Sequence, residues 1–275
     1  MTARQWLIGA ASVCAATMAA LSSAPARTPA KPDACAPEPG RVIACIKPSV
    51  TDPAIERFDS RHYILFNANT GPGGNLLVFL PGTHGTPPGP RRFLKAAADA
   101  GYRVISLDYN DEPATNVYCP RRPDPNCTEK FRRMRIYGDG TLNPRIDNTP
   151  AESIVNRLVK LLQYLDRQEP QQKWGDYLKD GAPNWGRIAL AGQSQGAGMA
   201  AFIAQRHEVA RVILFSSPWD FTLTNGNVRQ LAKWVSAPGK TPPERWYGGY
   251  HERENMAGLI AEAYAALRIP PDHIR

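Results

Sequence analysis

The chain is poor in the residues that build metal centres. It has five cysteines and five histidines in 275 residues, with no C-x-x-C pair and no clustered Cys/His spacing, so no metal site is expected. It lacks long apolar runs. Beyond residue 26 none approaches the ~20 residues needed to span a bilayer, so the mature part is read as having no stable membrane span. It also lacks a nucleic-acid signature. The net charge is +8, from 33 basic and 25 acidic residues. Arg121, Arg122, Arg132, Arg133 and Arg135 form one basic concentration, but no known module or interleaved stacking aromatics accompany it. A solvated basic surface is expected there, and no nucleic-acid partner. No cofactor is implied.

What remains is an ordinary globular composition, 43% apolar and 21% charged, and a length that suits one large α/β domain with a full core. The first 26 residues stand apart. Arg4 opens a short n-region, Trp6 to Leu21 is an uncharged run of apolar and small residues, and Ala24-Pro25-Ala26 offers a cleavage site. This is a signal-peptide pattern, with a short membrane anchor as its rival. Cys14 follows a poor lipobox, Ala11-Ser12-Val13. Export predicts a secreted or periplasmic protein, and it changes how the remaining cysteines read. Cys35, Cys45, Cys119 and Cys127 are an even set in an oxidising compartment, which suggests disulfides. Three pairings are open; the local ones, Cys35–Cys45 and Cys119–Cys127, are the simplest.

Residues 27–61 read as an N-terminal extension, loose where Pro and Ala dominate. From residue 62 short apolar strands alternate with helical segments, which predicts a mostly parallel sheet with helices on both faces. The candidate strands are 62–66, 75–80, 102–107, 187–191, 211–215 and, more weakly, 244–250. The candidate helices are 91–100, 151–167, 196–206 and 256–267. For the second, Thr149 is the expected N-cap and Pro150 the first helical residue. Two excursions, 110–148 and 217–243, leave the C-terminal ends of strands, where open α/β sheets bind ligands.

Between strand 187–191 and helix 196–206 lies Gly192-Gln193-Ser194-Gln195-Gly196, a G-x-S-x-G sequence. A chain that turns from strand to helix this sharply holds Ser194 in a strained conformation with its Oγ exposed. Side chains at 192 and 196 would collide with neighbouring elements. A structural turn with an incidental serine is the rival reading, but a strained, exposed serine gains a fold nothing. An acyl-transfer nucleophile needs donors for the oxyanion. The N–H of Gln195 is one candidate. Thr83 N–H, in Pro81-Gly82-Thr83-His84-Gly85 after strand 75–80, is the other; a plain Gly/Pro turn is its rival.

The LPGTHG loop, the GQSQGAG elbow and the strand pattern resemble the α/β-hydrolase superfamily. Over residues 75–268 the chain is similar to a branch of secreted bacterial α/β hydrolases. The Cys119–Cys127 pair, SIVNRLVKLLQYL and TPPERWYGGYHERE carry the likeness. The resemblance implies an acid on the turn after the seventh strand, where Glu254 matches. Asp220, beyond strand 211–215, is the alternative acid. It also implies a histidine after an eighth strand. His207 lies far along the helix after the elbow, and His273 is expected at the opposite edge of the sheet from Ser194. His251 is on the correct edge but precedes Glu254. Two expectations stay open: the sequence stops before its last strand and catalytic histidine, or His251 is the base. The function this implies is a secreted serine hydrolase that cleaves a small-molecule or polymeric carboxylic ester through an acyl-enzyme. The alternative is a non-catalytic binding protein on a truncated scaffold. Trp219, Tyr118, Trp234 and Trp246 are candidates either for an apolar pocket or for core packing.

Overall fold

The computed structural model describes residues 33–143, 145–224 and 228–275. The expected signal segment and Cys14 lie outside the described residues. Residues 34–275 form one compact unit.

The unit is built on a seven-stranded sheet: β1 (Arg41–Ile46), β2 (His62–Asn67), β3 (Leu76–Leu80), β4 (Arg103–Ser106), β5 (Ile188–Gln193), β6 (Arg211–Phe215) and β7 (Trp246–Gly249). Their order is β1-β2-β4-β3-β5-β6-β7. β2 runs antiparallel to both of its neighbours, and every pairing from β4 to β7 is parallel. This is the mostly parallel α/β sheet that the strand pattern predicts. Within β3, Leu76, Val78 and Leu80 face one core while Leu77 and Phe79 face the other. The period of two therefore survives inside an all-apolar strand, and burial of both faces explains why every position is apolar.

Helix α1 (Arg91–Asp99) covers one face through Leu94, Ala97 and Ala98. On the other face lie α2 (Cys127–Tyr137), α3 (Ile154–Gln168), α4 (Gln195–Arg206) and α5 (Ala257–Ala266). α3 begins later than its sequence suggests. Ser153, not Thr149, is the N-cap and accepts from the Asn156 N–H at 3.1 Å. Thr149 and Pro150 belong to the turn before it, where Glu152 N–H reaches Thr149 O at 3.0 Å.

Three expectations need correction. The boundary at residue 62 falls inside the folded unit, because β1 pairs along its whole length with β2. β1 is an edge strand, half-buried throughout, so it lacks the continuous burial that marks the inner strands. The basic concentration is not uniformly solvated. Arg132 and Arg135 are buried on α2, and Arg135 donates to Asn110 O at 2.5 Å and to Glu112 O. Burial lowers its pKa to about 10. Finally, α2, inside the excursion 110–148, is missing from the expected helices; its buried arginines interrupt the apolar stripe that would have revealed it.

Cys35–Cys45 and Cys119–Cys127 are disulfide-bonded. Among the described residues no helix is long and apolar enough to cross a membrane. At the open edge of β7, Ile274 makes a parallel bridge to Gly248. Arg275 N–H donates to Gly248 O at 2.9 Å, and Tyr250 N–H to Arg275 O at 3.0 Å.

Candidate active site

β5 ends at Gln193, and α4 starts at Gln195. Ser194 between them has φ 49° and ψ −118°, a region that L-residues rarely occupy and that costs about 1–3 kcal/mol. Its N–H is held by Phe215 O at 2.8 Å. The flanking glycines are required by volume. A Cβ at 192 would lie 2.5 Å from the Gly196 carbonyl, and one at 196 would lie 2.0 Å from Leu80 O. Ser194 is half-buried and lines two crevices.

The β3 loop is pressed against this turn. A Cβ at Gly82 would meet Gln193 O at 3.0 Å and the Ser194 Cβ at 3.2 Å. Thr83 follows directly. Gln195 N–H sits in the first turn of α4, where no intrahelical acceptor is available. The Gln195 N–H thus lies beside Ser194, at the positive end of the α4 dipole. The β3 loop is held from the β4 side. Burial, and then the neighbouring Glu112 carboxylate, keep the Asp111 carboxyl above the usual range, opposed in part by its own N–H and by the charge and N–H of His84. The exposed His84 ring turns to the Glu112 carboxylate. The side chain of Gln195 reaches the same excursion, its Oε1 accepting from Thr115 N–H at 3.1 Å and from the Thr115 hydroxyl at 3.2 Å.

The two candidate acids have different surroundings. Glu254 shares an open crevice of about 570 Å³ with Ser194, Ser216 and Trp219. Its Oε1 accepts from the Ser216 hydroxyl at 2.7 Å and the His251 N–H at 2.8 Å. Asp220 is buried and fully engaged. Its oxygens accept from Arg132 Nε at 2.6 Å and Nη2 at 2.5 Å, and from Trp234 Nε1 at 2.9 Å. The Arg132 guanidinium occupies the space beside Gly198, where a Cβ would lie 2.2 Å from Nη2.

The histidines do not join Ser194. The exposed His251 ring accepts from Arg253 N–H through Nδ1 at 3.1 Å. His207 bonds the Tyr137 hydroxyl at 3.0 Å and stacks on Trp185. His273 stacks on Tyr247 at 4.2 Å and bonds Trp246 O, at the start of β7. Among the described residues no histidine lines either crevice at Ser194.

Of the aromatic candidates, Trp219 lines both crevices. Trp234 and Trp246 are core residues, and Tyr118 packs at the core edge against Phe131. Sequence reasoning missed Arg132, Ser216 and the Thr115–Asn116 wall. Ser216 has a signal of sorts, since it directly follows a strand; Arg132 has none.

No protein-family model and no curated protein matches the chain. Several solved structures do. An α/β hydrolase enzyme from a Medee basin deep-sea metagenome library is 12% identical, with a TM-score of 0.43 over 86% of this chain and 80% of its own. A thermophilic esterase from Thermogutta terrifontis is 15% identical, with a TM-score of 0.42 over 82% and 78%. A bacterial heroin esterase is 15% identical, with a TM-score of 0.40 over 84% of each chain.

Proposed function

We propose that this protein is a secreted serine hydrolase that cleaves carboxylic esters through an acyl-enzyme on Ser194. The observation that carries the reading is the Ser194 backbone: a strained, half-exposed serine at a helix N-terminus, with Gly82 packed on its Cβ. In this reading Ser194 Oγ attacks the ester carbonyl while a base takes its proton and returns it to the departing alcohol. The N–H groups of Gln195 and Thr83 receive the oxyanion, the alcohol leaves, and water releases the acid. Glu254 is the acid that orients the base, and Asp220 is structural. The two disulfides accord with an oxidising compartment.

The base is the open position. His251 would have to rotate about the 251–254 turn to enter the crevice between Ser194 and Glu254. The test is fluorophosphonate labelling of the wild type, Ser194→Ala and His251→Ala, each with and without added imidazole. Labelling that depends on Ser194, persists in His251→Ala and rises with imidazole is expected. Loss of labelling in His251→Ala would assign the base to His251. No labelling under any condition would end the hydrolase reading. It would favour the second one, a binding protein on this scaffold, which the lack of a histidine lining the crevices among the described residues supports.

A further inference from the structure

The smaller crevice at Ser194 is bounded by Thr115, Asn116, Asp220 and Trp219. Asn116 is also part of the wall of a second, larger cavity of about 530 Å³, and Phe221, next to Asp220, is another part. The two spaces have Asn116 in common, but the crevice at Ser194 holds only about 10 Å³, so the larger cavity is a separate space. A volume of this size suits a small organic ligand. Its lining is of two kinds. Val117, Phe221 and Leu223 are apolar, while Arg121 and Arg229 carry charge.

The arginines are the informative pair. Arg229 lies over the Phe221 ring, 5.3 Å from its centroid, and contacts the Met256 sulfur at 3.8 Å. Acidic residues near this face in sequence are committed elsewhere: Asp124 to Lys130 at 2.7 Å, and Asp139 to Arg133. Arg121 and Arg229 are exposed residues of this lining, and guanidinium groups recognise carboxylates by paired N–H donors. The two walls come from the excursions 110–148 and 217–243, which Arg132 and Asp220 lock together. The Cys119–Cys127 disulfide fixes the wall that bears Arg121.

We propose that this cavity is a ligand site in its own right, which takes a small organic anion with an apolar body and a carboxylate held by Arg121 and Arg229.

The test is binding, so that it does not require turnover. Glutaric acid monoanilide keeps one free carboxylate, and its primary amide is an uncharged match; neither is an ester. Calorimetric titration of the full chain at low salt is expected to show at least tenfold tighter binding of the acid than of the amide. In Arg121→Gln/Arg229→Gln that preference is expected to fall below twofold. Equal affinity for the two ligands in the wild type, including no detectable binding of either, would overturn the proposal, as would a preference that survives the double substitution. Fluorophosphonate labelling of the wild type reads the underlying chemistry separately. An anion preference without labelling would reject the hydrolase reading and keep the site.

Discussion

Arg132 and Asp220 face each other through two hydrogen bonds, 2.6 and 2.5 Å, both side chains buried under the first turn of α4. One comes from α2 and the other from the segment after β6, so the pair joins the two excursions beneath Ser194. A guanidinium near a helix N-terminus is unfavourable by itself, and Asp220 offsets it. Asp220→Asn would leave that charge uncompensated. A loss of about 3–5 kcal/mol is expected in urea unfolding. Arg132→Met/Asp220→Leu should lose less, because it removes both charges together. Unchanged stability of Asp220→Asn would mean that the pair does not hold the two excursions together.

Glu254 should behave in the opposite way. Its carboxylate accepts from the Ser216 hydroxyl and the His251 N–H, at the edge of an open crevice. Glu254→Gln is expected to lower imidazole-assisted ester turnover, by less than the roughly 10⁴ that loss of the acid costs a complete triad. Its urea midpoint should stay close to that of the wild type. Unchanged turnover would remove Glu254 from the site.

The Ser194 backbone offers a test that needs no substrate. Ser194→Ala and Ser194→Gly both delete the hydroxyl, but only Ala keeps a Cβ at φ 49°. Glycine relieves strain of about 1–3 kcal/mol, and its greater unfolded-state entropy returns up to about 1 kcal/mol. The glycine variant should therefore be more stable than the alanine variant by about 1 kcal/mol in urea unfolding. Equal stability would mean that the turn is not strained.

Much of the fold was legible because the inner strands are bounded apolar runs. Leu76–Leu80 and Arg211–Phe215 could be read to within a residue. The elbow was legible because its two glycines are dictated by backbone collisions that any such turn would suffer. β1 was not, since an edge strand need only half-bury its side chains. α2 was not, since Arg132 and Arg135 occupy its buried face, and no periodicity in the sequence distinguishes a paired, buried arginine from a solvated one. The same limit hid the role of Asp220. Its partner is 88 positions away, and only the folded chain brings them together.

The Cys119–Cys127 bond closes a short loop, with a sequence separation of 8. On the chain-entropy model such a loop contributes about 2–3 kcal/mol. Cys119→Ser/Cys127→Ser should lose that amount in urea unfolding under oxidising conditions. Reductant should destabilise the wild type further than this variant, because both proteins share Cys35–Cys45 and only the wild type also has Cys119–Cys127 to lose.

His62 and Asp108 make opposing contributions to stability against pH. His62 accepts the Asp108 N–H through Nδ1 at 2.9 Å, and its buried Nε2 has no partner among the described residues. Burial lowers its pKa to about 3. From roughly pH 3 to 6.5 the unfolded chain takes up a proton there that the folded one refuses, so stability rises with pH. Burial instead raises Asp108 to about 6, only partly countered by the Ser60 N–H at 2.7 Å. From about pH 4 to 6 the folded chain keeps a proton that the unfolded one releases, so this group makes stability fall as pH rises. The two trends cancel in part where they overlap. Asp108→Asn keeps an acceptor for Ser60 and removes the second trend. It should leave stability unchanged near pH 3.5, raise it by about 2–3 kcal/mol at pH 7, and expose a steeper rise between those values. Urea unfolding of both proteins at about pH 3.5, 5 and 7 measures this. Parallel profiles would show that Asp108 binds its proton equally well in the folded and unfolded chains.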